Sequence, residues 1–200
     1  MRVVDVAIHK VVVPMRPGTV NSPGIERPLT AADPVTGRQL LDFAQYPKWI
    51  IELVADNGLV GLGEPRRGDL HGKLSECARA ILGKTLQELP VGNLPLPHGD
   101  SYESYIVYEA FEMAWLDLLG KHLGVPVHHL LGGKQLARVP VDYWMGVCTV
   151  EDTAARARLG RELGYRGIKM KLRPGDDYAE RVRVVREVDA TWPIVVDFNE

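Results

Sequence analysis

The chain has 200 residues, 46% hydrophobic and 25% charged, a composition typical of globular proteins and unlike disordered, collagen-like or disulfide-rich ones. The 24 Lys and Arg against 26 Asp and Glu give a net charge of −2 at pH 7, without the basic excess of nucleic-acid-binding proteins. No apolar run approaches the roughly 20 residues that cross a bilayer, and the N-terminus lacks a signal-peptide layout. We therefore expect a cytoplasmic protein that binds neither nucleic acid nor membranes, with Cys77 and Cys148 as reduced thiols.

The first part of the chain predicts a small antiparallel sheet. Residues 3–13 are rich in β-branched residues and predict a strand. Residues 14–47 are rich in Pro and Gly, which is typical of a lid, a binding loop or a disordered segment. Residues 49–64 predict a β-hairpin that turns at Asn57 and Gly58, because Asn-Gly suits the positive φ angles of tight turns.

Helices are predicted next, over residues 75–82 and 103–123. The longer one repeats its apolar side chains at the 3.6-residue period and ends at Gly124. A short apolar segment follows at 127–133. We place a domain boundary after this segment, so that residues 1–135 form an α+β domain.

Residues 136–200 show a different pattern, in which strands and helices alternate. The strands are predicted at 139–147, 167–172 and 194–199. Thr149 and Asp176 are positioned to cap the two intervening helices. Such alternation indicates parallel strands, as in a (β/α) barrel or a doubly wound sheet. The glycine-rich first turn of a doubly wound phosphate-binding enzyme is missing from the sequence.

Two lysines on the second of these strands are the first candidate catalytic residues. Side chains alternate along a strand, so Lys169 and Lys171 project to one side and Met170 to the other. They lie toward the carboxyl end of the strand, which forms the active face of parallel barrels. A lysine beside a second ammonium group can act as a base, while its neighbour holds an anionic substrate. The alternative is a solvated basic edge, but lysines inside a covered sheet are costly without a function.

Asp197 and Asn199 lie at the carboxyl end of the next predicted strand and share a face by alternation. An aspartate at a strand end is a common ligand for Mg²⁺, and capping of a following helix is an equal alternative. Because adjacent strands are roughly 5 Å apart, Lys171 and Asp197 are placed to flank one ligand.

A group of loop residues is the third candidate feature. Arg66, Arg67 and His71 follow the hairpin, and Arg16 and Arg27 lie in the first long loop. These side chains suit closure over an anionic substrate, although such residues are more often simply solvated.

Taken in order, these segments resemble the enolase superfamily, in its mandelate racemase/muconate lactonising enzyme branch. The resemblance rests on the hairpin KWIIELVADNGLVGLGE, the helix YEAFEMAWLDLLGKHLGVPVHHLLGG and the strands GIKMKL and VVDFNE. It implies an α+β capping domain over residues 1–135. It also implies that residues 136–200 begin an α/β, TIM-like barrel of the modified (β/α)₇β type.

The resemblance implies Mg²⁺-assisted removal of the proton α to a carboxylate in a small substrate. Lys171 would be the catalytic base or acid, and Lys169 would contact the substrate carboxylate and tune Lys171. Asp197 would be the first metal ligand, and Asn199 would lie near the substrate or the metal. The loops at residues 16–30, with Arg16, and 65–73, with Arg66, Arg67 and His71, would supply the specificity lid.

The later strands of such a barrel would carry two further acidic metal ligands and a base on the opposite face. A complete barrel needs about 250 residues, so we expect a barrel truncated after its third strand. We therefore expect the sequence to be the N-terminal part of a longer, homo-oligomeric protein. The 200-residue chain alone is expected to be inactive. The lysine pair favours a racemase, epimerase or cycloisomerase, with an acid-sugar dehydratase as the alternative. A non-catalytic binding or assembly module is the alternative from another class.

Overall fold

A computed structural model describes most of the chain. Outside the described residues lie Met15, Pro17, residues 26–30, 33–38 and 41–46, Arg67, His98, Pro174, Asn199 and Glu200. The chain divides into two compact units. The first comprises Met1–Pro14 and Ala31–Gln135, and the second comprises Met15–Thr30 and Leu136–Glu200.

The first unit contains the predicted antiparallel sheet. Its strands are β1 (Val3–Val12), β2 (Ala31–Ala32), β3 (Gln39–Leu40), β4 (Pro47–Ala55) and β5 (Val60–Gly63). Strands β1, β4 and β5 form one sheet in that order, and β2 pairs with β3 in a small sheet that the sequence did not predict. The predicted hairpin joins β4 to β5, and Gly58 in its turn has φ of +80°, as Asn-Gly turns require.

The described residues of the first unit also form three α-helices and a short 3₁₀ helix. They are α1 (His71–Ile81), the 3₁₀ helix (Leu86–Glu88), α2 (Tyr102–Leu123) and α3 (Val127–Leu130). Helix α1 begins four residues before the predicted start, and the predicted apolar segment after α2 forms the single turn α3. Helix α2 begins where the Ser101 side chain accepts a hydrogen bond from the Ser104 N–H. It ends at Gly124, whose φ of 69° is left-handed.

Helix α2 approaches strand β5 so closely that only glycine fits on the facing side of the strand. A Cβ atom on Gly61 would overlap the Ala114 carbonyl oxygen and lie 2.6 Å from Leu118 Cβ. A Cβ atom on Gly63 would overlap the Ala110 carbonyl oxygen in the same way. The G-L-G sequence therefore sets the spacing between the sheet and its helix, against which the buried apolar residues of the unit pack.

The outer edge of β5 is covered by side chains of α2. The Leu62 N–H donates to Asp117 Oδ2 at 2.8 Å, and Lys121 Nζ donates to the Val60 carbonyl oxygen at 2.7 Å. Lys121 Nζ also donates to Asp117 Oδ2 at 2.7 Å. These contacts satisfy backbone groups that an uncovered edge strand would offer to another chain.

The second unit has the predicted β-α-β-α-β order. Its elements are β6 (Tyr143–Met145), α4 (Val150–Glu162), β7 (Ile168–Lys171), α5 (Tyr178–Val188) and β8 (Ile194–Asp197). The three strands are parallel and adjacent in the order β6, β7, β8. The helices cover a core that includes Met145, Ile168, Met170 and Val185.

Two details of this unit correct the sequence expectations. The predicted strand 139–147 is only three residues long, because Val139 and Val141 are 69% and 60% exposed and have no strand partner. Asp177, not Asp176, caps α5 by accepting a hydrogen bond from the Glu180 N–H. The carboxylate of Asp176 instead accepts from the Arg173 N–H at 2.8 Å, within the loop that leaves β7.

Both cysteines are buried free thiols, in agreement with the sequence expectation. Burial raises the pKa of the Cys77 thiol to about 11, and burial also raises the pKa of the Cys148 thiol. Among the described residues, no helix has both the length and the apolar character needed to cross a membrane.

Replacing Gly61 or Gly63 by Ala should lower the free energy of unfolding by about 1–3 kcal/mol, because the new methyl group must push α2 away from β5. Urea denaturation followed by circular dichroism measures this change. Gly72→Ala is the matched control, since Gly72 lies in α1 and a built Cβ would meet no atom within 4 Å apart from its chain neighbours and the backbone of its own helix. The control should leave stability unchanged or raise it by up to about 1 kcal/mol, and equal losses in all three variants would contradict the packing argument.

Candidate active site

The carboxyl ends of β7 and β8 place the predicted lysines and aspartate side by side. The two strands are parallel, with Lys171 paired to Asp197 and Lys169 paired to Val195. Along β7, Ile168 and Met170 are buried, while the two lysines lie on the other face and are partly exposed. The alternation predicted from the sequence is thus the arrangement that the structure shows.

One carboxylate oxygen lies between the two ammonium groups. Lys171 Nζ is 2.6 Å and Lys169 Nζ is 2.9 Å from Asp197 Oδ2. The Lys171 side chain is 13% exposed and that of Lys169 41% exposed, so the two lysines occupy different environments. The shared carboxylate holds the lysines together in space, and the less exposed Lys171 is the better shielded from water.

Backbone contacts at both ends of β7 fix this register. At the start, the Ile168 N–H donates to the Pro193 carbonyl oxygen at 3.0 Å, and a Cβ on Gly167 would lie 3.0 Å from the same oxygen. At the end, the Leu172 N–H donates to the Asp197 carbonyl oxygen at 3.2 Å. Because Gly167 and Leu172 bracket the lysines, a slip of the strand would break contacts on both sides of the site.

The fit of this site to Mg²⁺ depends on its donor atoms. Asp197 supplies carboxylate oxygens, the ligand type that Mg²⁺ prefers, at the end of a strand. Octahedral Mg²⁺ takes about six oxygen ligands, and the described part of the chain holds no group of three or more His, Cys, Asp or Glu side chains suited to a metal. Asp197 therefore fits as one ligand of a larger set, and Asn199 lies outside the described residues.

The structure describes three of the loop residues that were expected to bind substrate: Arg16, Arg66 and His71. Arg66 and His71 belong to the first unit, where Arg66 Nη1 donates to the Tyr102 hydroxyl at 3.2 Å and the His71 ring is 5.8 Å from the Trp49 ring. Arg16 is exposed in the second unit. Arg67, like Arg27, lies outside the described residues, and a substrate-binding role for all of these side chains stays a prediction.

Within the loop at residues 16–30, which was expected to form part of the specificity lid, the structure adds a long-range contact that no local pattern in the sequence signals. Residues 18–25, called the strap below, lie within the stretch Met15–Thr30, which belongs to the second unit although the chain before and after that stretch belongs to the first. The Ser22 N–H donates to the Val147 carbonyl oxygen at 3.0 Å, just beyond the carboxyl end of β6. The partners are 125 positions apart, so only the folded structure reveals the contact.

Comparison with known proteins gave relatives among curated enzymes, whereas no protein-family model matched. The N-succinyl-L-Arg/Lys racemase of Bacillus cereus is 27% identical over 169 residues, covering 79% of this chain and 46% of the relative. The L-Lys-D/L-Arg epimerase of Methylococcus capsulatus is 31% identical over 170 residues, covering 76% and 45%. The D-galactonate dehydratase of Pectobacterium atrosepticum is 25% identical over 170 residues, covering 77% and 42%.

Solved structures share the fold. A mandelate racemase/muconate lactonizing protein from Herpetosiphon aurantiacus matches with a TM-score of 0.71 at 19% identity, over 98% of this chain and 52% of that one. A dipeptide epimerase from Cytophaga hutchinsonii, complexed with Mg and the dipeptide D-Ala-L-Val, matches with a TM-score of 0.69 at 20% identity, over 100% and 52%.

The proteins in these solved structures are enzymes with an N-terminal capping domain and an α/β barrel. The curated relatives and the structural neighbours are members of the mandelate racemase/muconate lactonising enzyme branch of the enolase superfamily, which matches the resemblance drawn from the motifs of this chain. Its curated relatives are racemases, epimerases, cycloisomerases and dehydratases. The chain spans about half the length of the relatives that it matches.

Replacing Asp197 by Asn should lower the free energy of unfolding by about 1–2 kcal/mol, because two ammonium groups would lose their shared counter-charge. Denaturant unfolding with a metal chelator present measures this loss. The matched control is Glu64→Gln, which breaks the exposed Lys48–Glu64 ion pair and should change stability by less than about 1 kcal/mol. If both variants unfold at the same denaturant concentration, the shared carboxylate is not stabilising the site.

Proposed function

We propose that the complete protein abstracts the proton α to a carboxylate and forms an enediolate, in a reaction of the racemase, epimerase or cycloisomerase type. The observation that supports this proposal is the convergence of Lys169 and Lys171 on Asp197 at the carboxyl end of a parallel sheet. The family and the isomerases among its relatives favour the same chemistry.

Lys171 is the group proposed to move the proton. In its neutral form the Nζ atom accepts the α-proton, and the resulting ammonium group can return a proton to the same carbon. Its low exposure keeps competing water away from that nitrogen. Inversion at the carbon also requires a second acid–base group on the opposite face of the substrate.

Lys169 is proposed to hold the substrate carboxylate and to offset the charge that develops on it. Its side chain is more exposed than that of Lys171, so its ammonium group is accessible to an anionic ligand. A fixed positive charge stabilises an enediolate more than it stabilises the starting carboxylate, which is the condition for acceleration.

We further propose that the complete protein requires Mg²⁺, with Asp197 as one ligand. Bound Mg²⁺ would supply further stabilisation of negative charge on the substrate carboxylate. The Mg-complexed epimerase structure and the carboxylate at the end of β8 support this assignment.

The proposed substrates are small carboxylates with a hydrogen on the α-carbon, and N-acylated amino acids or dipeptides come first. The names of the racemase and epimerase relatives support these classes. Dehydration of an acid sugar is the second candidate, supported by the D-galactonate and D-gluconate dehydratases among the relatives.

The complete protein with Mg²⁺, incubated in deuterium oxide, should replace the α-proton of an N-succinyl amino acid or a dipeptide with deuterium. Loss of the α-proton signal in the NMR spectrum measures the rate. Lys171→Ala should lower this rate by about 100- to 10,000-fold, the usual contribution of a general base. Lys134→Ala removes an exposed lysine elsewhere and should leave the rate unchanged.

Each other result selects a different function. Water loss from a sugar acid without exchange in amino-acid derivatives would establish the dehydratase alternative. Exchange that persists in Lys171→Ala would overturn the role of Lys171. No turnover of any of these substrates, with Lys171→Ala changing stability alone, would favour the non-catalytic module.

A further inference from the structure

The strap is held by a charged side chain from far along the sequence. Arg156 lies on α4, and its Nη1 donates to the Thr19 carbonyl oxygen at 3.0 Å while its Nη2 donates to the Gly18 carbonyl oxygen. A guanidinium group is permanently charged and presents its donors in a rigid plane, so two adjacent carbonyl groups form a matched pair of acceptors.

A second attachment lies further along the strap. Ser22 is 5% exposed, its N–H donates to the Val147 carbonyl oxygen, and its Oγ accepts from the Thr149 N–H at 3.2 Å. Between the two attachments, the Val20 carbonyl oxygen occupies the place where a Cβ on Gly146 would lie. The strap is therefore docked through its backbone onto the loop that follows β6.

The docked strap forms one wall of a cavity in the second unit. The cavity has a volume of about 390 Å³, and its walls include Gly24 and Ile25 from the strap together with Arg173 and Arg181. Arg173 follows Lys171 by two residues, on the loop that leaves β7 at the carboxyl end of the sheet. The strap and the loop that leaves the proposed catalytic strand thus line the same cavity.

Contacts that do not involve Arg156 anchor the helix that carries it. Helix α4 begins at its own cap, where the Thr149 side chain accepts from the Asp152 N–H at 3.1 Å, and Ala157 packs in the core. The hydrogen bonds described above for the guanidinium both go to the strap. Removing this side chain should therefore loosen the strap before it destabilises the unit.

We propose that Arg156 is a positioning residue, which holds the strap at the carboxyl end of β6 and so keeps the cavity in the shape that binds substrate. This inference rests on the proposed function, because the cavity is taken to receive the part of the substrate that extends away from the reacting carbon. Arg156 acts through the strap, so its removal weakens substrate binding and leaves the proton transfer at Lys171 largely intact.

Three variants of the complete protein test this role: Arg156→Ala, Arg156→Lys and, as the matched control, Arg158→Ala. Arg158 is exposed on the same helix. In Arg156→Ala, loss of the charge-assisted hydrogen bonds should raise amide hydrogen exchange at Ser22 and Thr149 on the order of 10-fold or more. Arg156→Lys retains a charge and a single donor group, so exchange should rise less, and Arg158→Ala should match the unmodified protein.

The second measurement is of KM and kcat, with the substrate that the deuterium-exchange experiment has identified. Arg156→Ala should raise KM about 10-fold while kcat stays within about twofold, since the interaction lost is one of binding. A purely structural role would instead lower the amount of folded enzyme, which reduces kcat at unchanged KM. Gly146→Ala offers an independent route, because its methyl group displaces Val20 and should raise exchange in the strap in the same way.

The outcomes separate this inference from the proposed function. Unchanged exchange in the strap of both Arg156→Ala and Gly146→Ala would overturn the positioning role, whatever the activity. Faster exchange with unchanged KM would show that the strap does not govern binding and would overturn the inference. Absence of proton exchange in every substrate, with faster strap exchange in Arg156→Ala, would contradict the proposed function and the binding role while leaving the attachment of the strap established.

Discussion

The pairing register between β7 and β8 is the constraint on which the candidate site depends. A slip of one residue would turn Lys169 and Lys171 toward the core and Met170 toward solvent. Burial of Ile168 and Met170 makes such a slip costly, since each apolar side chain contributes about 1.5–3 kcal/mol when it is fully buried. The buried apolar face of β7 thus fixes the position of the face that carries the lysines. Strand pairing alone then brings both lysines into contact with Asp197.

In the first unit, two glycines set the spacing between a strand and its helix. Gly61 and Gly63 let α2 lie directly on β5, and the same closeness brings Asp117 and Lys121 within hydrogen-bonding distance of the strand backbone. A larger residue in the strand would separate the two elements and leave the edge of β5 uncovered. Packing and edge protection therefore depend on the same two positions.

Strand periodicity was enough to predict which lysines share a face and that Asp197 lies beside Lys171, because both follow from the geometry of parallel strands. The apolar residues at 139–147 predicted a longer β6 than the structure has, because β-branched residues also occur in exposed connections. The docking of Ser22 on the loop after β6 could not be predicted, because polar backbone contacts between distant segments leave no periodic pattern. Local chemistry therefore predicted the strands and their charged residues, whereas long-range backbone contacts required the structure.

The route of the chain makes each compact unit discontinuous in sequence, because residues 15–30 join the second unit between two stretches of the first. A polypeptide that starts at residue 136 would lack the partners of Val147 and Thr149, and one that ends at residue 135 would carry the strap without its docking surface. Exchange of residues 136–200 between related proteins at a single crossover point would therefore combine a strap from one parent with a docking surface from the other. Compatibility at Gly146 and Arg156 would then decide whether such a chimera assembles its cavity.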